Sequence, residues 1–186
     1  MARIHVFGAS GSGTTTLGAD LAAALGCVHL DTDDYFWIQT DPPFREIREA
    51  GERLRLLMEA LDSSPAWTLS GTLAGWGDPV ADRFDLAVYL YVPGETRMAR
   101  LRARERERYG PEIFDPADPR HEIHRGFLEW AAAYDSAGPE QRSRVKHEQW
   151  MAGLACPVLR IEGEPGREES LAIVLERLRE LGRAAP

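Results

Sequence analysis

Residues 8–15, Gly8-Ala9-Ser10-Gly11-Ser12-Gly13-Thr14-Thr15, constrain this chain more than any other stretch. Its glycines cannot continue the apolar run Ile4-His5-Val6-Phe7 as a strand interior, because glycine offers a strand nothing to pack. Just beyond it, Leu17, Leu21 and Leu25 recur at helical spacing and make one apolar stripe. The reading that satisfies both flanks is strand, glycine-rich loop, helix. In that arrangement the glycines let backbone N–H groups turn inward around an anion, and the helix start adds the positive end of its dipole. A loop of this kind is a phosphate cradle. A dinucleotide fingerprint read from Gly11 and Gly13 fails, since it needs glycine where Thr16 stands.

The segment resembles the Walker A loop of the P-loop superfamily. That resemblance implies that Gly8, Ser10, Gly11, Ser12, Gly13, Thr14, Thr15 and Thr16 hold the phosphates of ATP, with Thr15 at the Ser/Thr that ligates Mg²⁺. One position departs. Thr14 occupies the place of the motif's lysine, which reaches the β- and γ-phosphates. The loop is similar to the G-x-x-G-x-G-T-[ST] variant of phosphoribulokinases, a subgroup of P-loop kinases that works without lysine there. Lys146 is the one lysine among 22 basic residues, so further cationic phosphate contacts must come from arginine.

Short apolar runs recur at Ile4–Phe7, Val28–Leu30, Trp67–Leu69, Leu86–Val92 and Pro157–Ile161, each followed by a turn signal and a longer helix-like stretch. This alternation predicts a five-stranded parallel sheet covered by helices, a three-layer α/β/α P-loop fold. The stripes Leu54/Leu57/Met58/Leu61 and Leu171/Val174/Leu175/Leu178 read as core. Two segments break the rhythm: Gly71–Pro79, and the charged region from Arg97 to about Arg144, read as a helical lid at the rim. With no linker or repeat, residues 1–186 read as a single domain.

The second strand ends in Asp31-Thr32-Asp33-Asp34, followed by Tyr35-Phe36-Trp37. Ligands of doubly wound sheets sit at carboxyl ends of strands, and carboxylates there can hold Mg²⁺ or take a hydroxyl proton. The stretch resembles shikimate- and gluconate-kinase-like proteins, whose D-x-D implies that Asp31 orients the metal and Asp33 contacts the acceptor. Asp34 reads as a helix cap. Ser70 stands where a Walker B carboxylate is sought, assisting the metal weakly; Trp37 and Trp76 fit a stacking wall or simple packing equally.

In the arginine-dense run, Arg97, Arg100, Arg104 and Arg108 share one helix face. Arg100-Leu101-Arg102-Ala103-Arg104 resembles the R-L-x-x-R that opens the lid of adenylate-kinase-like and shikimate-kinase-like enzymes, where arginines clamp phosphates. The resemblance implies Arg100 and Arg104 as catalytic, with Arg108 and Arg120 behind them. Phe127–Asp135 reads as a packing helix and the pair His121/His124 as weak evidence for a site; the resemblance to P-loop kinases implies that the turn Glu162–Gly166 wraps the adenine.

A net charge of −8 argues against a general nucleic-acid or anionic-membrane partner, and two cysteines are too few for a disulfide framework. No apolar run suits a signal peptide or membrane span, which points to the cytoplasm. The sequence lacks asparagine, so a guanine-reading N-K-x-D is excluded, and no strand ending in Asp-Glu suggests an ATPase motor. The expected protein is an ATP- and Mg²⁺-dependent kinase of a small hydroxyl or phosphate acceptor, a monomer or homodimer. The alternative is a non-catalytic or slowly hydrolysing ATP sensor.

Overall fold

The apolar runs become strands because each inner strand of a parallel sheet is covered on both faces and must be apolar on both. The computed structural model describes residues 2–183, so the outermost positions of the 1–186 span lie outside it. In chain order the elements are β1 (Arg3–Gly8), α1 (Thr14–Leu25), β2 (Val28–Asp31), α2 (Thr32–Phe36), β3 (Trp37–Ile38), β4 (Glu46–Ile47) and α3 (Ala50–Asp62). There follow β5 (Trp67–Ser70), β6 (Leu86–Tyr91), α4 (Gly94–Tyr109), α5 (His121–Ala132), α6 (Arg144–Ala152), β7 (Val158–Glu162) and α7 (Arg167–Glu180). Five strands form a parallel sheet in the order β2-β5-β1-β6-β7. The five runs read from sequence are these strands.

Side chains alternate across the sheet, and the alternation builds two cores. Ile4, Val6, Leu86 and Val88 face α1 and α7, meeting Leu17, Leu21, Val174 and Leu178. On the opposite face Phe7 and Tyr89 meet Met151 of α6, while Trp67 and Leu69 meet Leu57 and Leu61 of α3. His5 is fully buried there, stacked between Phe7 and Phe84 at centroid distances of 5.1 and 4.9 Å.

One element has no counterpart among the expected ones. The antiparallel pair β3–β4 joins Trp37 to Ile47 and Ile38 to Glu46, and carries residues 39–45 as a loop towards the carboxyl edge of the sheet. Two-residue strands leave no periodic signal, so the sequence reading passed over them. No described helix is long and apolar enough to cross a membrane.

Candidate active site

The phosphate loop is held by close backbone approach. A Cβ at Gly8 would run into the carbonyl oxygen of Leu90 on β6, and one at Gly11 would stand 2.7 Å from the carbonyl oxygen of Arg97 on α4. Gly11 also adopts φ 82°, which an L side chain rarely tolerates. The chain re-enters α1 through Gly13, leaving the amides of Gly13, Thr14, Thr15 and Thr16 without acceptors among the described residues. Ser12 is buried with its Oγ unpartnered. Free amides at a helix start are the donors that a phosphate needs.

Parallel register sets Asp31, at the end of β2, beside Ser70, at the end of β5. Asp31 Oδ2 accepts hydrogen bonds from Ser70 Oγ at 2.7 Å and from Thr15 Oγ1 at 2.9 Å. Its Oδ1 accepts from the Asp33 N–H at 3.0 Å, which caps α2. Ser70 is fully buried, with its oxygen 3.0 Å from His29 Nε2, so it steadies the carboxylate from behind. Asp31 is therefore the cap, where Asp34 was expected to be. Asp34 instead lines the cavity beside Asp33.

That cavity, of about 720 Å³, runs from the loop residues Gly8–Gly11, Thr14 and Thr15 to the helices above it. Its walls include Asp31, Asp33 and Asp34, the hairpin residues Trp37, Pro43, Phe44 and Arg45, and Arg104, Arg108 and Tyr109 of α4. Phe127 and Trp130 of α5 complete the apolar side, so this helix contributes to the cavity as well as packing. Glu105 and His124, both buried, tie α4 to α5 through a 2.7 Å contact. Arg108 reaches across the mouth, its guanidinium 5.7 Å from the Phe44 ring centroid.

Asp33 opens into the cavity and is exposed there, with the cavity walls around it. Desolvation is the main reason its pKa is raised; Arg142 opposes the rise, Asp31 and Asp34 add to it, and Arg104 opposes it. Arg142, just ahead of α6, extends Nη1 to within 3.2 Å of Ser10 Oγ and lies 5.5 Å from the Trp130 ring centroid. It is 132 residues from Ser10 in the chain, and sequence reasoning did not single it out.

The arginine stripe divides along its length. Arg104 and Arg108 line the cavity, whereas Arg100 is exposed and outside its wall. Arg97 is fully buried, pairing with Asp135 at 2.7 Å and donating to the carbonyls of Val92 and Ala131. Arg120 is taken up by Asp118 at 2.7 Å and by the Tyr109 carbonyl. Trp76 packs on Arg53 and Phe36, outside the wall, while Trp37 lines it. Ser12, Gly13 and Thr16 of the loop likewise lie off the wall itself.

Parallel sheet, glycine loop and first helix together define a P-loop protein of the kinase-like fold. The family model AAA_18, described as an AAA domain, matches residues 4–122, and the chain belongs to that family. It is 47% identical over 175 residues to the uncharacterized protein YqaC of Bacillus subtilis (strain 168), covering 94% of this chain and 96% of YqaC. Among solved structures it is similar to a shikimate kinase from Acinetobacter baumannii in complex with shikimate, with a TM-score of 0.57 at 21% identity over 97% of this chain and 94% of that one. A deoxyadenosine kinase from M. mycoides with bound dATP gives a TM-score of 0.56 at 13% identity, covering 96% of this chain and all of the other (100%). A sugar kinase from Janibacter sp. HTCC2649 gives 0.55 at 17% identity, covering 100% of this chain and 99% of that one. At these identities the likeness is one of fold.

Proposed function

We propose that this protein is a kinase that transfers the γ-phosphoryl group of ATP to a small acceptor bearing a hydroxyl or phosphate. One observation carries the reading: Thr15 and Asp31, 2.9 Å apart, share a cavity with the phosphate loop and with Asp33, whose carboxylate has no ion-pair partner among the described residues. The free amides of the loop bind the phosphates of ATP. Thr15 and Asp31 offer the hard oxygen donors that Mg²⁺ prefers and would hold it, and the ion when bound would neutralise charge on the phosphate oxygens. Ser70 and His29 hold Asp31 in that orientation.

For a hydroxyl acceptor, the acceptor oxygen forms the new bond to the γ-phosphorus as the bond to the β-phosphate oxygen breaks and ADP leaves. Asp33 takes the hydroxyl proton. Its raised pKa makes the carboxylate a better base than an ordinary aspartate. Arg104 and Arg108 meet anionic charge from the opposite wall, while Trp37, Phe127 and Trp130 give the acceptor an apolar face. Catalysis of this kind rests on positioning and charge neutralisation.

A second reading, an ATP sensor that turns over slowly, is favoured by Thr14 in place of lysine. Such a protein would keep the loop and have no use for an acceptor. A thermal-shift screen with AMP-PNP and Mg²⁺ separates the two: a kinase gains a further rise in Tm with one class of nucleosides, nucleotides or sugar acids. Stabilisation by AMP-PNP, with none by any acceptor, would favour the sensor.

A further inference from the structure

A nucleoside triphosphate brings several negative charges to a loop that has no formal charge between Gly8 and Thr16. The acidic turn adds Asp31, Asp33 and Asp34 on the same side of the cavity. A cation has to meet the terminal phosphate, and the candidates differ in reach. Lys146 packs beside Gly75, off the cavity wall. Arg100 lies outside. Arg104 and Arg108 belong to the α4 wall, Arg104 lying 3.8 Å from Glu105 and Arg108 against Phe44 and Tyr109.

Among the described residues Arg142 is the one cation that touches the loop itself, through Ser10. It is held firmly: the next residue, Ser143, is fully buried and caps α6 by accepting the Lys146 N–H at 3.1 Å. Tyr134, Asp31 and Asp33 surround it, yet no carboxylate lies within ion-pair distance of it among the described residues. Burial lowers its pKa, although arginine stays charged at neutral pH. Arg142 is half-buried and lines the cavity, so its guanidinium, without a salt bridge among the described residues, faces the space where a phosphate would lie.

We infer that Arg142 supplies, from the far end of the chain, the cationic contact to the terminal phosphate that the loop gives up at Thr14. The inference rests on the nucleotide side of the kinase reading and is independent of the acceptor.

Calorimetric titration with AMP-PNP·Mg²⁺, ADP·Mg²⁺ and AMP tests it on the parent and on Arg142→Gln, Arg142→Lys and Arg142→Gln combined with Thr14→Lys. Losing a charge-assisted contact should weaken AMP-PNP about 10- to 100-fold, ADP much less and AMP not at all. Arg142→Lys should fall between, and Thr14→Lys should restore most of the loss. An unchanged ratio of AMP-PNP to ADP affinity in Arg142→Gln would overturn the inference alone. A parent that binds none of the nucleotides would overturn the kinase reading and the inference with it. Should Arg142→Gln fail to fold, Thr14→Lys in the parent decides. A gain in AMP-PNP affinity under about 3-fold supports a role already filled by Arg142, and 10-fold or more contradicts it.

Discussion

At Asp33 four neighbouring charges and the protein's own bulk compete, and the competition can be read out by pH. Because the folded pKa lies above the ordinary aspartate value, kcat/KM should fall as pH drops through that raised value. Arg142 is the strongest of the groups pulling it down, so Arg142→Gln should move this acid limb to higher pH; an unmoved limb would detach Arg142 from Asp33. Asp33→Asn should lower turnover by about two to four orders of magnitude with ATP binding little changed. The same residue has a stability signature. A raised folded pKa means that its contribution is present below the unfolded pKa and lost as pH rises through the folded one. Asp33→Asn should therefore raise Tm at neutral pH and leave it unchanged in acid, which a melting series from pH 3 to 8 would check. The D-x-D pattern made Asp31 and Asp33 legible in sequence. Arg142 was not, since its contact with Ser10 joins segments that no local spacing relates.

α4 works as a beam whose inner end is fixed and whose outer end faces the cavity. Arg97 fixes it, with no exposure of its own side chain and about a third of Asp135 in solvent. Its guanidinium also lies 4.9 Å from the Tyr134 ring centroid. Arg97→Met should cost roughly 3 kcal/mol, towards the low end for a broken buried pair because Asp135 can recover hydration. Denaturant midpoints with an unchanged m-value would measure it, and a loss under about 1 kcal/mol would count against this anchoring. Helical spacing put the arginines on one face correctly. It could not say that the face turns from core at Arg97, past solvent at Arg100, to cavity at Arg104, because that depends on what α5 and the loop after it pack against. The β3–β4 pair was illegible for a related reason: two-residue strands gain their identity from the hairpin they close, not from their own pattern.

Across the whole molecule, the five strands were legible because parallel strands covered by helices are short apolar runs, whereas the equally apolar Leu171–Leu175 continues at helical spacing to Leu178 and forms α7. Their order in the sheet, β2-β5-β1-β6-β7, was not, because it is set by crossovers that leave no local pattern. The core nevertheless contains titratable groups. His5 and His147 are both buried, and desolvation lowers each pKa to about 3, with Arg142, His5 and Lys146 adding to the effect on His147. His147 links α6 to the sheet region, 2.7 Å from Tyr134 Oη and 2.9 Å from Thr72 Oγ1. The unfolded chain binds protons on both histidines below about pH 6.5 and the folded one refuses them, so stability should fall as pH drops from there towards 3. Each histidine contributes up to about 1.4 kcal/mol per pH unit. Replacing His147 by Gln should flatten the slope of unfolding free energy against pH, and an unaltered slope would mean that this ring is protonated in the fold.

Phosphoryl transfer is the proposed activity on which the residue roles above depend. The direct measurement follows ADP, inorganic phosphate and phosphorylated acceptor together, with ATP and Mg²⁺, over a panel of nucleosides, nucleoside monophosphates and sugar acids. The kinase reading predicts that one acceptor class raises ADP formation well above the acceptor-free rate. Phosphorylated product should match ADP one for one, EDTA should abolish both, and Asp33→Asn should lower both by about two to four orders of magnitude. ATP bound tightly but turned over no faster with any acceptor, or released only as ADP and inorganic phosphate, would contradict it.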